Sequence, residues 1–214
     1  MDIDQTKLKK GTTTVGIVCK DGIVLAADKR VSAGYFIADK KVQKVFPISD
    51  NIAVTIAGLV SDAQLISKLI RAELSLKKMR TGKDTTVKEA ANLLASIVYQ
   101  NIRKFSAVPG IVGFLLAGAD RNDNFGLYEI GIDGSVTLCG AFCADGSGSP
   151  LAYGVLETLY KENLPIEEGV RLAVKAISAA MARDLPTGEG IDVFTITAKG
   201  VKQVLAQKVE TRLV

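Results

Sequence analysis

Thr13-Thr14-Val15-Gly16-Ile17-Val18-Cys19-Lys20-Asp21-Gly22-Ile23-Val24-Leu25-Ala26-Ala27 decides the fold. Thr13–Cys19 and Ile23–Ala27 are β-rich runs, and the Asp21-Gly22 pair between them has the backbone freedom that a tight hairpin needs. The grouping recurs twice. Phe125–Ile132 and Val136–Cys139 flank Asp133-Gly134, and Ile191–Ala198 and Val201–Ala206 flank Lys199-Gly200. Ile52–Ala57 is a further β-branched run. Ile111–Ala117 is continuously apolar, as a strand covered on both faces requires. Strands joined by hairpins make antiparallel sheets, not the alternating β-α-β of a parallel one.

Helices separate these groups in pairs. Ser61 is placed to cap the first, with Leu65, Ile66, Leu69 and Ile70 as its stripe. The second opens on a capping box, Thr86 with Glu89, and carries Ala91, Leu94, Val98, Ile102 and Phe105 on one side. Two more fit Leu151–Lys161 and Ile166–Arg183, the latter with Glu167 and Glu168 where the helix dipole favours acids. Two sheets face to face, covered outside by helix pairs, bury both the apolar strands and the helix stripes. The expected class is α+β, a four-layer α-β-β-α sandwich of two antiparallel sheets flanked by helix pairs. No linker, repeat or low-complexity tract divides it.

The 214 residues are enough for one domain with a full core, and their 48% hydrophobic and 23% charged content is that of an ordinary globular chain. No apolar run reaches the ~18 residues of a membrane span. Met1–Lys10 has no hydrophobic segment, so it is not read as a secretory signal. Cys19, Cys139 and Cys143 then suggest a reducing, cytoplasmic setting. The net charge of +4 is dispersed and Trp is absent, which argues against a nucleic-acid surface. Asp145-Gly146-Ser147-Gly148-Ser149-Pro150 lacks the Gly-Lys-Ser/Thr ending of a phosphate loop and reads as a tight loop shaping a site. No metal, cofactor or membrane partner is expected.

The chain contains no histidine. Ser-His-Asp and Cys-His catalysis are thereby excluded, as are His-ligated zinc sites. Against that absence, Lys9-Lys10-Gly11-Thr12-Thr13-Thr14-Val15-Gly16 has two readings. It is either a plain lead into a Thr-rich strand or a removable leader. Cutting Gly11–Thr12 would set a free α-amino group, with a pKa of roughly 7.7–8, beside the Thr12 hydroxyl, and such an amine is a competent base near neutrality. Asp28, at the end of the second run, returns in an antiparallel hairpin toward Thr12, unless it is only a solvated strand end. Lys40, Lys41 and Lys44 precede another apolar segment. A lysine near Thr12 would keep the amine neutral and stabilise an alkoxide, but spacing does not choose among the three. Gly58, after Ile56-Ala57, is either a turn glycine or an N–H donor to an oxyanion. Arg183-Asp184-Leu185-Pro186-Thr187-Gly188 by itself is a helix stop.

Together, Gly-Thr-Thr-Thr-Val-Gly, Ala-Ala-Asp-Lys-Arg, Ile-Ala-Gly-Leu-Val-Ser-Asp, Gly-Ser-Gly-Ser-Pro and Arg-Asp with Thr-Gly after it resemble the proteasome β subunits, the archaeal type most closely. The resemblance covers the chain from Thr12 onward. It implies an N-terminal nucleophile (Ntn) hydrolase fold over 12–214 and a propeptide, 1–11, removed by autocleavage. Thr12 becomes the nucleophile, Lys44 is picked from the three lysines with Asp28 as its partner, and Gly58 takes the oxyanion role. Ser147, Asp184 and Thr187 match the supporting network, with Thr187 where the family often has serine. Val31, Val42, Phe46, Ile56 and Val60 would line an apolar pocket for the side chain before the scissile bond, giving a preference for hydrophobic residues. The implied partners are other β subunits in a seven-membered ring, α-subunit rings, a regulatory ATPase acting through the α ring, and unfolded polypeptide. The rival readings are an unprocessed structural subunit and a small-molecule amidase on the same fold.

Overall fold

The computed structural model describes residues 11–121 and 124–208. Residues 1–10, the bulk of the expected propeptide, lie outside that range. The elements run β1 (Thr13–Cys19), β2 (Gly22–Asp28), β3 (Val31–Ala33), β4 (Phe36–Asp39), β5 (Val45–Pro47), β6 (Ile52–Gly58), α1 (Val60–Thr81) and α2 (Val87–Arg103). They continue β7 (Val112–Asp120), β8 (Asn124–Ile130), β9 (Val136–Leu138), β10 (Phe142–Gly146), α3 (Ser149–Leu159), α4 (Ile166–Arg183), β11 (Gly190–Thr197) and β12 (Gly200–Lys208). The three expected hairpins form: Cys19 pairs with Gly22, Ile130 with Val136, and Thr197 with Gly200.

Antiparallel pairing builds two five-stranded sheets, β10-β1-β2-β11-β12 and β5-β6-β7-β8-β9, beside a small β3-β4 ribbon. Three apolar cores separate four layers. Ile23, Leu25, Ala27, Leu115, Ala117 and Phe194 pack between the sheets. Val54, Ile66, Ile70, Leu94, Val98 and Phe114 fill the space under α1 and α2. Val15, Ile17, Val24, Leu156, Ala173 and Ile177 do the same under α3 and α4. The alternation along β2 explains the arrangement, because Ile23, Leu25 and Ala27 face one core while Val24 and Ala26 face the other. The expected α-β-β-α sandwich is therefore the observed one.

Local departures have local causes. The α2 capping box forms as expected, Glu89 N donating to Thr86 Oγ1 and Thr86 N to the Glu89 carboxylate. The start of α1 differs. Its N-cap is Leu59 without a side-chain cap, and Ser61 Oγ donates instead to Asp62. The buried face is Ala63, Ile66, Ser67, Ile70 and Leu74, which leaves Leu65 49% and Leu69 44% exposed. Ile66 and Ile70 of the expected stripe are buried, and Ala63 and Leu74 complete that face in place of Leu65 and Leu69. Phe105 falls beyond the end of α2 and is fully exposed. The third helix begins two residues before its expected start, at Ser149, with Pro150 in its first turn. The β3-β4 ribbon and β10 carry no hairpin or periodicity signal strong enough to announce them.

Candidate active site

Antiparallel connectivity delivers the predicted residues to one end of the sandwich. β1 begins there at Thr13, β2 ends there at Asp28, β10 ends at Gly146, and β11 begins at Gly190. From the other sheet, β6 ends there at Gly58, and Lys44 lies at the entry to β5 with its carbonyl accepting from Ile56 N at 3.0 Å. The site thus straddles both sheets.

Asp28 is its hub and is wholly buried. Lys44 Nζ donates to Asp28 Oδ1 at 2.7 Å, and Thr13 N donates to the same oxygen at 3.0 Å. Arg30 N and Gly188 N donate to Asp28 Oδ2 at 3.0 and 2.9 Å. Four donors on two oxygens give the carboxylate the solvation that burial removes. Lys44 is 2% exposed. Burial pulls its pKa down from 10.5, and the charge and hydrogen bond of Asp28 pull the other way. Burial outweighs the pull of Asp28, so this ammonium yields its proton more readily than that of a surface lysine.

A chain of hydroxyls runs from Thr13 on the other flank. Asp184 Oδ2 accepts from Thr187 Oγ1, and from Ser147 Oγ at 2.6 Å. The single hydroxyl proton of Thr187 is used on that carboxylate. The 2.7 Å contact between Thr13 Oγ1 and Thr187 Oγ1 therefore has Thr13 as donor. Ser147 Oγ also lies 3.5 Å from the Thr12 carbonyl oxygen. Gly148 and Gly146 make this approach possible, since a Cβ would stand 2.1 Å from Thr13 Oγ1 on the first and 2.0 Å from the Thr12 carbonyl oxygen on the second.

Thr12, Lys44 and Gly58 share one crevice with Gly11, walled by Val31, Val42, Ile56 and Val60. With Gly11 in place about 10 Å³ remains free, roughly one water. Gly58 has φ +126°, and a Cβ there would meet the Ile111 carbonyl oxygen at 2.3 Å, so only glycine fits. Phe46 is the exception among the expected pocket residues. Next to inward-facing Val45 on β5, it points the opposite way and packs on the core under α1 and α2. Thr13, Arg30 and Gly188 contact the hub but were not singled out as functional. All three sat inside quoted motifs, but the role of Gly188 is a main-chain contact 160 residues from Asp28, which no spacing reveals.

A larger cavity of about 430 Å³ lies at the opposite end of the strands, between Asp50, Asn51, Asp84, Asp120 and Arg121, and holds none of these residues. Among the described residues no group of three or more His, Cys, Asp or Glu could hold a metal ion.

A family model described as Proteasome subunit matches residues 8–196. The chain belongs to the proteasome subunit family. It is 45% identical over 201 residues to a proteasome subunit beta of Methanocaldococcus fervens, covering 94% of this chain and 88% of that one. Identity is 43% over 206 residues to the proteasome subunit beta of Archaeoglobus profundus, with 96% and 94% covered. With that of Methanosarcina thermophila it is 41% over 210 residues, covering 98% of each. Within the family, these matches group the chain with proteasome β subunits of archaeal type. A proteasome β subunit is a core-particle component that assembles with other subunits and belongs to a family of peptidases. No helix among the described residues is long and apolar enough to cross a membrane.

Proposed function

We propose that the chain is a catalytic β subunit of the 20S proteasome core, a threonine endopeptidase that frees its own nucleophile by cutting Gly11–Thr12. The observation that carries this reading is the buried Lys44–Asp28 pair, 2.7 Å long, whose lysine lines the same crevice as Gly11, Thr12 and Gly58. A buried ion pair costs solvation, and its place beside a threonine rather than in a core argues for chemistry.

In the precursor, Thr12 Oγ attacks the Gly11 carbonyl carbon. The Gly11–Thr12 C–N bond breaks as an ester forms, and the hydroxyl proton ends on the Thr12 nitrogen. Water then hydrolyses the ester, releasing residues 1–11 as a propeptide and leaving 12–214 as the mature domain. In the mature subunit the Thr12 amine accepts the hydroxyl proton and Oγ attacks the substrate carbonyl. Gly58 N–H stabilises the oxyanion, the amine returns its proton to the leaving nitrogen, and water hydrolyses the acyl-enzyme. The Lys44 ammonium acts on this sequence by charge, keeping the Thr12 amine neutral and lowering the energy of the alkoxide. Asp28 holds Lys44 in place. Asp184, Ser147 and Thr187 steady the Thr12-Thr13 backbone.

Val31, Val42, Ile56 and Val60 favour cleavage after hydrophobic residues. The substrate is unfolded polypeptide, reached within a seven-membered β ring stacked on α rings and fed by a regulatory ATPase, in the cytoplasm. Thr12→Ala tests the assignment. Intact-mass spectrometry is expected to show residues 1–11 lost from the assembled wild-type chain and kept by the variant, which also loses hydrolysis of hydrophobic peptides. A wild-type chain that keeps its leader inside an assembled particle would instead be a structural subunit.

A further inference from the structure

The Gly11 backbone lies directly against Pro186. A Cβ on Gly11 would stand 1.5 Å from Pro186 Cβ, 2.5 Å from its Cγ and 2.9 Å from its Cα. Contacts under 3.0 Å cannot persist, and ring pucker, which moves chiefly Cγ, cannot clear Cα or a Cβ at 1.5 Å. The φ of Gly11 lies outside the left-handed region, so its backbone does not itself demand glycine. The demand is steric and comes from one residue.

The segment carrying Pro186 has little room to retreat. Arg30 Nη1 donates to the Leu185 carbonyl at 2.7 Å, and Thr187 N donates to the Asp184 carbonyl at 3.1 Å. One step further, Gly188 N is held by Asp28 Oδ2, and the Gly188 carbonyl accepts from Lys29 N at 3.1 Å. Pro186 is thus fixed on both sides by groups belonging to the hub, and its ring restricts its own φ.

We propose that Pro186 is a specificity-determining residue for self-cleavage: it restricts position 11 to glycine and sets the Gly11–Thr12 peptide against the crevice. The proposal rests on the self-cleavage reading above. A side chain at position 11 either displaces Pro186, disturbing Asp184 and Thr187 beside it, or pushes the Gly11 carbonyl away from Thr12 Oγ. Both slow cleavage.

The test follows leader loss by intact mass in the full-length chain within its assembled particle. Gly11→Ala is expected to slow processing about tenfold or more, as an overpacked rigid contact does. Gly11→Ala with Pro186→Gly, which removes both Cβ and ring, is expected to recover most of that loss. Gly11→Ala with Pro186→Ala keeps the offending Cβ and is expected to stay slow. A merely structural role for Pro186 would not produce rescue of one variant by the other. Processing of Gly11→Ala at the wild-type rate overturns the proposal. So does a Pro186→Gly double variant as slow as Gly11→Ala, when Pro186→Gly alone is processed normally. If Pro186→Gly fails to fold, a Gly11→Ala chain processed at the wild-type rate still overturns the proposal. Failure of the underlying reading shows elsewhere, as a wild-type chain that keeps residues 1–11 or a Thr12→Ala chain that loses them.

Discussion

At the scale of single residues, the site depends on how one buried carboxylate shares four donors, one of them a buried ammonium. Asp28→Asn keeps the shape but turns one oxygen into an NH₂ group, which must face either Lys44 and Thr13 N or Arg30 N and Gly188 N. One pair of donors is lost and Lys44 stays buried without its counter-charge. Breaking a buried pair from one side costs about 3–5 kcal/mol. The pH dependence carries a sign. In the wild type the folded Lys44 pKa lies below its ordinary 10.5, so between the two values the unfolded chain binds more protons and the contribution of Lys44 to stability grows as pH rises. Without Asp28 that pKa falls further, and the window extends toward neutrality. The gap in urea midpoint between wild type and Asp28→Asn is therefore expected to be widest near pH 7 and to narrow toward pH 10. A gap independent of pH would mean that Lys44 does not carry the cost.

At the scale of elements, α1 and α2 show what a helix start is worth. The box at α2 is reciprocal, and Glu89 also reaches Lys77 at 2.9 Å; these bonds, the backbone one first, pull the Glu89 pKa down to about 2. A depressed carboxylate stabilises the fold above its ordinary value of 4.5, and that stabilisation is lost as pH falls from there toward about 2. Thr86→Ala is expected to cost about 1 kcal/mol at pH 6 and distinctly less near pH 3, read from urea unfolding. An equal cost at both values would show that the carboxylate is not part of the cap. The contrast with α1 also marks how far the fold was legible. Thr86 and Glu89 are three residues apart and their capping contacts are local, as are the hairpin turns at Asp21-Gly22 and Lys199-Gly200. The buried stripe of α1 is chosen by what lies beneath it, so Leu65 and Leu69 read as core and are not. The site follows the same division. Asp28 was within reach of hairpin logic, because it directly follows Ala27, which pairs with Thr14 in the β1-β2 hairpin. Lys44 was not separable from Lys40 and Lys41, since its place depends on β5 pairing with β6. Phe46 was misplaced by one strand alternation.

At the scale of the whole molecule, the site is a joint between two sheets. Thr12, just before β1, and Asp28 lie on the side of one, while Lys44, just before β5, with Ile56 and Gly58 lies on the side of the other. Nothing covalent near the site fixes their separation; what sets it is the core of Leu25, Ala27, Leu115, Ala117 and their neighbours between the sheets. Interiors are close-packed, so a cavity there relaxes by small shifts of one sheet over the other. A cavity under a helix relaxes by settling of that helix. Leu115→Ala opens the first kind and Leu94→Ala, beneath α2, the second; both side chains are fully buried. Each is expected to cost about 2–5 kcal/mol of stability. Their effects on peptide hydrolysis per folded particle should separate. Leu115→Ala is expected to lower kcat several-fold by displacing Lys44 and Gly58 relative to Thr12, because a 1 Å misplacement is costly in a preorganised site. Leu94→Ala is expected to leave kcat nearly unchanged at temperatures where both variants are folded. Equal kcat values for the two variants, at matched loss of stability, would show that sheet-to-sheet packing does not set the geometry of the site.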